Sequence, residues 1–261
     1  MLAYVDHGRG SPTFVLMHFL GGSHRTWFPT FPYLEEQHRC IAIDTPGFGD
    51  SAAVDGRAVD APSAEAYSVD AMVEHFDATI RALGLSDCIL VGHSMTGKVA
   101  LALAARRPDY LKGLILVAPS PPTPQPMEEA QRHKQSTYQA TREEAEAFAD
   151  AATARRLPDE LREVVIADLR RVNLAAYRHW PQSASQEDWS ERIGSVTCPA
   201  LLIAGSEDQN VPSVEDQKEL TLSHLPDHRI EVIDGAGHLM PLETPRQLAR
   251  LMLDFATDLA P

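Results

Sequence analysis

Three short segments of this chain bring together side chains of the types that attack and release carbonyl groups. Gly92-His93-Ser94-Met95-Thr96-Gly97 follows directly on the apolar run Cys88 to Val91 and leads into the helix-forming run Lys98 to Ala105. A serine there sits on a strand-to-helix turn, where small flanking residues let the two backbones approach and the first helix amides face whatever the hydroxyl attacks. The bland alternative is a helix-capping serine in a glycine-rich turn. Gly205-Ser206-Glu207-Asp208 follows the run Leu201 to Ala204, and Gly235-Ala236-Gly237-His238 follows the run ending at Ile233. An acid and a histidine therefore come after the serine in chain order, each at a strand end, and in a parallel sheet those ends share one edge. Such a set performs nucleophilic acyl transfer: the imidazole takes the hydroxyl proton and the carboxylate orients the imidazole. Glu207 and Asp234 compete with Asp208 for the carboxylate's place, and no pair of the other ten histidines has metal-ligand spacing.

The elements that must hold these groups are legible as alternation. Leu2 to Val5, Phe14 to Met17, Cys40 to Ile43, Cys88 to Val91, Leu114 to Val117, Leu201 to Ala204 and Ile230 to Ile233 are short, apolar and rich in β-branched residues. Seven such runs separated by helical periodicity predict an α/β fold, a mostly parallel central sheet flanked by helices. Val69, Met72, Val73, Phe76, Ile80 and Leu83 form one helical stripe behind a Ser68 cap; Thr244-Pro245 opens a second helix with Leu248, Leu251, Met252 and Phe255 inward. The alternation breaks once, where Pro119, Pro121, Pro122, Pro124 and Pro126 introduce a stretch without any strand-like run. The expected organisation is a core from 1–118 and 191–261 interrupted by a helical insertion, 119–190.

Together these motifs resemble the α/β-hydrolases over nearly the whole chain outside 119–190. The resemblance implies that Ser94 is the nucleophile, Asp208 the acid and His238 the base, in the chain order that fold uses. It implies an oxyanion hole made by the Met95 N–H and a second N–H from His18-Phe19-Leu20-Gly21-Gly22, with Leu20 preferred and Phe19 the alternative. Two departures stand out. Phe19 occupies a position usually held by glycine, and Thr96 stands where the turn usually carries glycine, so its branched Cβ is expected to crowd the turn. Asp44 to Ser51 also resembles a recurring loop of the family, expected to be structural. An insertion at 119–190 implies a helical cap above the nucleophile, with Phe148, Tyr177, Trp180 and Trp189 as candidate substrate-binding walls.

The implied activity is that of a serine hydrolase acting on a small carboxylic ester or lactone. C–C bond hydrolases, cofactor-free haloperoxidases and small-molecule receptors that turn over slowly are the alternatives of the same architecture. Aspartate stands at the elbow in dehalogenases and epoxide hydrolases of the family; serine at position 94 argues against both. No cofactor and no metal are implied, because nucleophile, base and oxyanion donors all come from the protein. In 261 residues, 37 acidic side chains against 23 Lys and Arg leave a net charge of −14, and only four of the cations are lysines. That balance argues against nucleic acid or an anionic membrane as partner. No apolar run approaches the roughly twenty residues needed to span a bilayer, and Asp6 and His7 interrupt the start before a signal-like segment develops. Cys40, Cys88 and Cys198 are odd in number and lack CxxC spacing, as expected of reduced thiols in a cytoplasmic protein.

Overall fold

The computed structural model describes residues 1–52 and 64–259. Seven strands, β1 (Tyr4–His7), β2 (Thr13–Met17), β3 (Cys40–Ile43), β4 (Cys88–His93), β5 (Leu111–Val117), β6 (Ala200–Gly205) and β7 (His228–Ile233), form one sheet in the order β1-β3-β2-β4-β5-β6-β7. β1 runs antiparallel to β3, and every other neighbouring pair is parallel. The first strand departs from its expected span: Leu2 lies outside the ladder, buried, with its N–H donating to Thr79 Oγ1 at 3.0 Å. Pairing from Tyr4 with Ile43 to His7 with Cys40 carries the strand onto polar residues instead. An antiparallel edge strand needs no apolar side chain there, so hydropathy misplaced it.

Side-chain alternation divides the core into two layers. Val15, Met17, Leu90, Leu114 and Leu116 point to one face, and Phe14, Leu16, Ile89, Val91, Ile115 and Val117 to the other. On the first face pack α2 (Val69–Ala82) and α3 (Met95–Ala105), the former capped by Ser68 Oγ accepting from Ala71 N–H. The second face takes Trp27, the short helix α1 (Phe31–Leu34) and the stripe Leu248, Met252 and Phe255.

Between β5 and β6 lie α4 (Glu129–Ser136), α5 (Arg142–Ala151), α6 (Asp159–Arg170), α7 (Leu174–Gln182) and the single turn α8 (Ser190–Ile193), with no strand among them. Thr141 and Glu144 close a capping box on α5, and Asn173 caps α7. This segment is fastened to the sheet by polar contacts. Lys98 of α3, fully buried, donates to the carbonyls of Thr123 (3.1 Å), Ser185 (3.2 Å) and Glu187 (2.5 Å). Asp168 of α6, also buried, accepts from Ser23 Oγ at 2.6 Å, from Arg25 and from Arg171. After β6 come α9 (Val214–Leu220), the turn α10 (Met240–Glu243) and α11 (Pro245–Asp258), which carries the stripe on the second face and opens at Pro245 as its sequence predicts. β3 and β4 flank β2 on opposite sides, so the direction of chain progress reverses at β2; the loops after β2 and β4 border the crevice where α/β sheets bind ligands.

Candidate active site

Ser94 occupies the turn between β4 and α3 at φ 58° and ψ −119°. A non-glycine residue in that conformation is strained, and it persists only where its surroundings over-determine it. Here the Ser94 N–H donates to Val117 O (2.9 Å), and Ser94 O accepts from Gly97 N–H (2.8 Å) and Ser120 N–H (2.9 Å). The flanking glycines are steric necessities: a Cβ on Gly92 would stand 2.4 Å from Thr96 O, and one on Gly97 2.6 Å from Pro119 Cβ. Thr96 brings hydrogen bonds to the turn. Its fully buried hydroxyl accepts from His93 N–H at 2.9 Å and lies 3.0–3.1 Å from the carbonyls of Met17, His18 and His93. It therefore fastens the turn to the end of β2.

His238, on the loop after β7, places Nε2 2.8 Å from Ser94 Oγ and Nδ1 2.8 Å from Asp208 Oδ2. The side chains of His238 and Asp208 are only 5% and 4% exposed. Asp208 follows β6, and its other oxygen accepts from the backbone N–H and side-chain amide of Asn210 at 2.8 and 3.3 Å. Burial alone would raise the Asp208 pKa; the facing His238 and the hydrogen bonds from His238 and Asn210 overcome it and hold the carboxyl below the usual aspartate range. Glu207 and Asp234, the competing carboxylates, are exposed and bond Ser206 Oγ instead. The arrangement can move a proton from Ser94 Oγ to His238 Nε2 while Asp208 receives the Nδ1 proton in a hydrogen bond, fixing one tautomer.

The His238 loop is itself held. His93 Nε2 donates to His238 O at 2.8 Å, while His238 N–H and Leu239 N–H both reach Ala152 O, just past α5. Burial, foremost, pushes His93 down to about 3, so it stays neutral and serves as a fixed donor. His18 is likewise kept neutral, chiefly by burial. Its Nδ1–H donates to Phe19 O at 2.8 Å and its Nε2 accepts from Thr45 N–H at 2.9 Å. Phe19 O also accepts from Gly22 N–H at 3.0 Å. With the carbonyl of the planar Phe19–Leu20 peptide tied down, its Leu20 N–H points the opposite way. Met95 is the first residue of α3, where N–H groups lack intrahelical partners.

A narrow cavity of about 30 Å³ opens on Ser94 and His238, walled by Phe19, Leu20, Met127, Phe148 and Trp180 on its apolar side and by Ser120, Gln125 and Asn210 among its polar residues. Phe19, displacing the expected glycine, stacks on Phe148 with ring centroids 5.8 Å apart. Of the four candidate wall residues, Phe148 and Trp180 line this space. Tyr177 lines an adjoining space reached past Phe148. Trp189 lines neither; it is buried beneath the Arg192 guanidinium, 3.6 Å from its ring centroid, with Nε1 donating to Glu187 at 2.9 Å. His24, Asp44 and Asp50 bring potential metal-ligand atoms within 4.8 Å of one another. Asp44 there already accepts from His24 N–H, His24 Nδ1 and Asp50 N–H, which accounts for the cluster as the clasp of the Asp44–Ser51 loop. His93, Lys98 and Asn210 were not singled out as site residues in the sequence; of these only Asn210, two residues after Asp208 in an Asx-like turn, left a local signal.

The sequence profile of the alpha/beta hydrolase fold family matches residues 12–245. The chain belongs to the alpha/beta hydrolase fold family. This alpha/beta hydrolase is 24% identical over 263 residues to the (E)-2-((N-methylformamido)methylene)succinate hydrolase of Acinetobacter baylyi, covering 95% of this chain and 91% of that one. Among solved structures it superposes on the bromoperoxidase of Bacillus anthracis with a TM-score of 0.85 at 22% identity, covering 98% and 95% of the two chains. The esterase of Exiguobacterium antarcticum superposes with a TM-score of 0.82 at 20% identity and the same coverage. No helix among the described residues of this alpha/beta hydrolase is long and apolar enough to cross a membrane.

Proposed function

We propose that the protein is a serine hydrolase that cleaves a small carboxylic ester or lactone through an acyl-enzyme on Ser94. The observation that carries this reading is the continuous line Ser94 Oγ, His238 Nε2, His238 Nδ1, Asp208 Oδ2, with 2.8 Å at each hydrogen bond. In the first half-reaction Ser94 Oγ bonds to the substrate carbonyl carbon as its proton passes to His238 Nε2. The tetrahedral oxyanion is held by the N–H groups of Met95 and Leu20, and the C–O bond to the alcohol breaks as His238 returns the proton to it. Water then attacks the acyl group by the same route, its proton going through His238 to Ser94 Oγ. Protein groups supply every role in that cycle, so the reading needs neither cofactor nor metal, and its partner is a small molecule rather than nucleic acid or membrane.

Residues 119–190 act in this reading as a helical cap between the two core segments, with Phe148 and Trp180 as an apolar wall against the acyl group and Tyr177 further out. Three unpaired cysteines fit a reducing cytoplasm: burial pushes the Cys40 and Cys88 thiols up to about 12, leaving them inert. The test is steady-state turnover of short p-nitrophenyl esters and lactones together with fluorophosphonate labelling. Multiple turnovers, and labelling that disappears in Ser94→Ala, are expected. Labelling with a single turnover would identify a receptor, and turnover of vinylogous diketones but no ester would identify a C–C hydrolase; either result rejects the ester reading.

A further inference from the structure

Three residues lining the space that opens on Ser94, namely Ser120, Gln125 and the half-buried Gln135, carry a side-chain oxygen without a partner among the described residues. Ser120 and Gln125 are 1% and 5% exposed, both line the space that opens on Ser94, and neither Ser120 Oγ nor Gln125 Oε1 makes a hydrogen bond. A buried polar atom without a partner costs about 1–3 kcal/mol, so each one calls for a physical reason, a bound group that satisfies it being one. Gln125 is held firmly at its other groups. Its N–H donates to Ser185 O (2.9 Å), its carbonyl accepts from Gln186 Nε2 (3.1 Å), and its own Nε2 donates to Asn210 O (3.3 Å). The last contact also fixes the amide's orientation, since a flipped amide would set Oε1 against the Asn210 carbonyl. The group that Gln125 leaves unpaired is therefore an acceptor. The Ser120 hydroxyl, positioned by its N–H on Ser94 O at 2.9 Å, can accept or donate.

We infer that Gln125 and Ser120 form a subsite for a neutral hydrogen-bond donor on the substrate's acyl chain, a hydroxyl above all. This rests on the ester-hydrolase reading and adds the class of acyl group. An acyl chain esterified to Ser94 Oγ shares the cavity with both side chains. A hydroxyl on that chain donates to Gln125 Oε1 and accepts from Ser120, whereas a plain alkyl chain leaves both unpaired. A carboxylate offers no proton to Gln125 Oε1, and among the described residues no Lys or Arg lines this space to neutralise it.

The experiment compares kcat/KM for p-nitrophenyl 3-hydroxybutyrate, p-nitrophenyl butyrate and mono-p-nitrophenyl succinate, which share one leaving group. The hydroxy ester is expected to exceed the butyrate by about tenfold, as one satisfied buried acceptor implies, with the succinate slowest. In Gln125→Met the hydroxy-to-plain ratio should fall toward one, and Ser120→Ala should lower it in part. Should Gln125→Met fail to fold by circular dichroism, Ser120→Ala carries the comparison. Turnover with no hydroxy preference in the wild type, or a preference unchanged by either folded variant, overturns the subsite and leaves the hydrolase reading standing. If no ester is turned over and Ser94 is not labelled, the hydrolase reading fails instead. The subsite is then judged by calorimetric binding of methyl 3-hydroxybutyrate and methyl butyrate to Ser94→Ala, where equal affinities overturn it and tighter hydroxy-ester binding upholds it.

Discussion

Replacing Lys98 by methionine should leave the protein less stable by an amount that grows with pH. Lys98 is fully buried on the helix that begins at the Ser94 turn, and its ammonium reaches three carbonyls of the segment 119–190. Burial lowers its pKa from 10.5 to about 8, against the opposing charges of Glu187 and Asp188. The folded protein thus gives up this proton at lower pH than the unfolded chain does. Between about 8 and 10.5 the unfolded chain binds more protons, so stability rises with pH through that window and the gain is lost again as pH falls through 8. At ~1.4 kcal/mol per tenfold change in proton affinity, the part gained from pH 7 to pH 10 is about 2–3 kcal/mol. Methionine removes this dependence and strips the donor from three carbonyls, each worth about 1–3 kcal/mol when left bare in the interior. Urea unfolding of both proteins at pH 7 and pH 10 reads the difference directly, since groups common to both cancel. Methionine should be the less stable at each pH, with the gap about 2–3 kcal/mol wider at pH 10. A gap that stays constant or narrows refutes the argument.

Ser94→Ala and His238→Ala should each lower kcat by ~10³ or more, and combining them should cost little beyond either alone because the residues act as a unit. Asp208→Asn should lower it strongly as well, whereas Glu207→Gln, exposed and bonded only to Ser206, should stay within about twofold in the same ester assay. Thr96→Val keeps the shape but deletes the hydroxyl that joins His93 N–H to the end of β2; a loss of about 1–3 kcal/mol in urea unfolding and a lower kcat are expected, with Thr96→Ser losing less of both. The depressed Asp208 pKa contributes stability that is present above the ordinary value of 3.8 and lost as pH falls through the lower folded value. Acid unfolding followed from pH 6 downward should therefore be shallower in Asp208→Asn than in the wild type at the acid end.

Local chemistry in the sequence was enough to indicate the sheet and to narrow the candidates for the reactive groups. Short apolar runs bounded by turn residues read as strands, and the residues that follow them on one edge are the ones a parallel sheet gathers, so Ser94 and His238 stood out in the sequence while Asp208 still competed with Glu207 and Asp234. The exceptions were settled by pairing: β1 took its bounds from β3, beyond the reach of its own hydropathy.

Tertiary structure decided everything that depends on contacts between distant segments. Asp208 was separated from Glu207 by which carboxylate reaches His238, a distance no spacing encodes. Thr96 looked like a steric fault and proved to be a hydrogen-bonding clasp, because its partners at Met17 and His18 lie almost eighty residues away. Trp189 matched Trp180 as a candidate wall, but a guanidinium covers its ring and a carboxylate takes its N–H. His93, Lys98, Ser120 and Gln125 carry no signature along the chain; their roles come from burial, which makes each paired or unpaired polar atom matter, and burial is a property of the assembled fold.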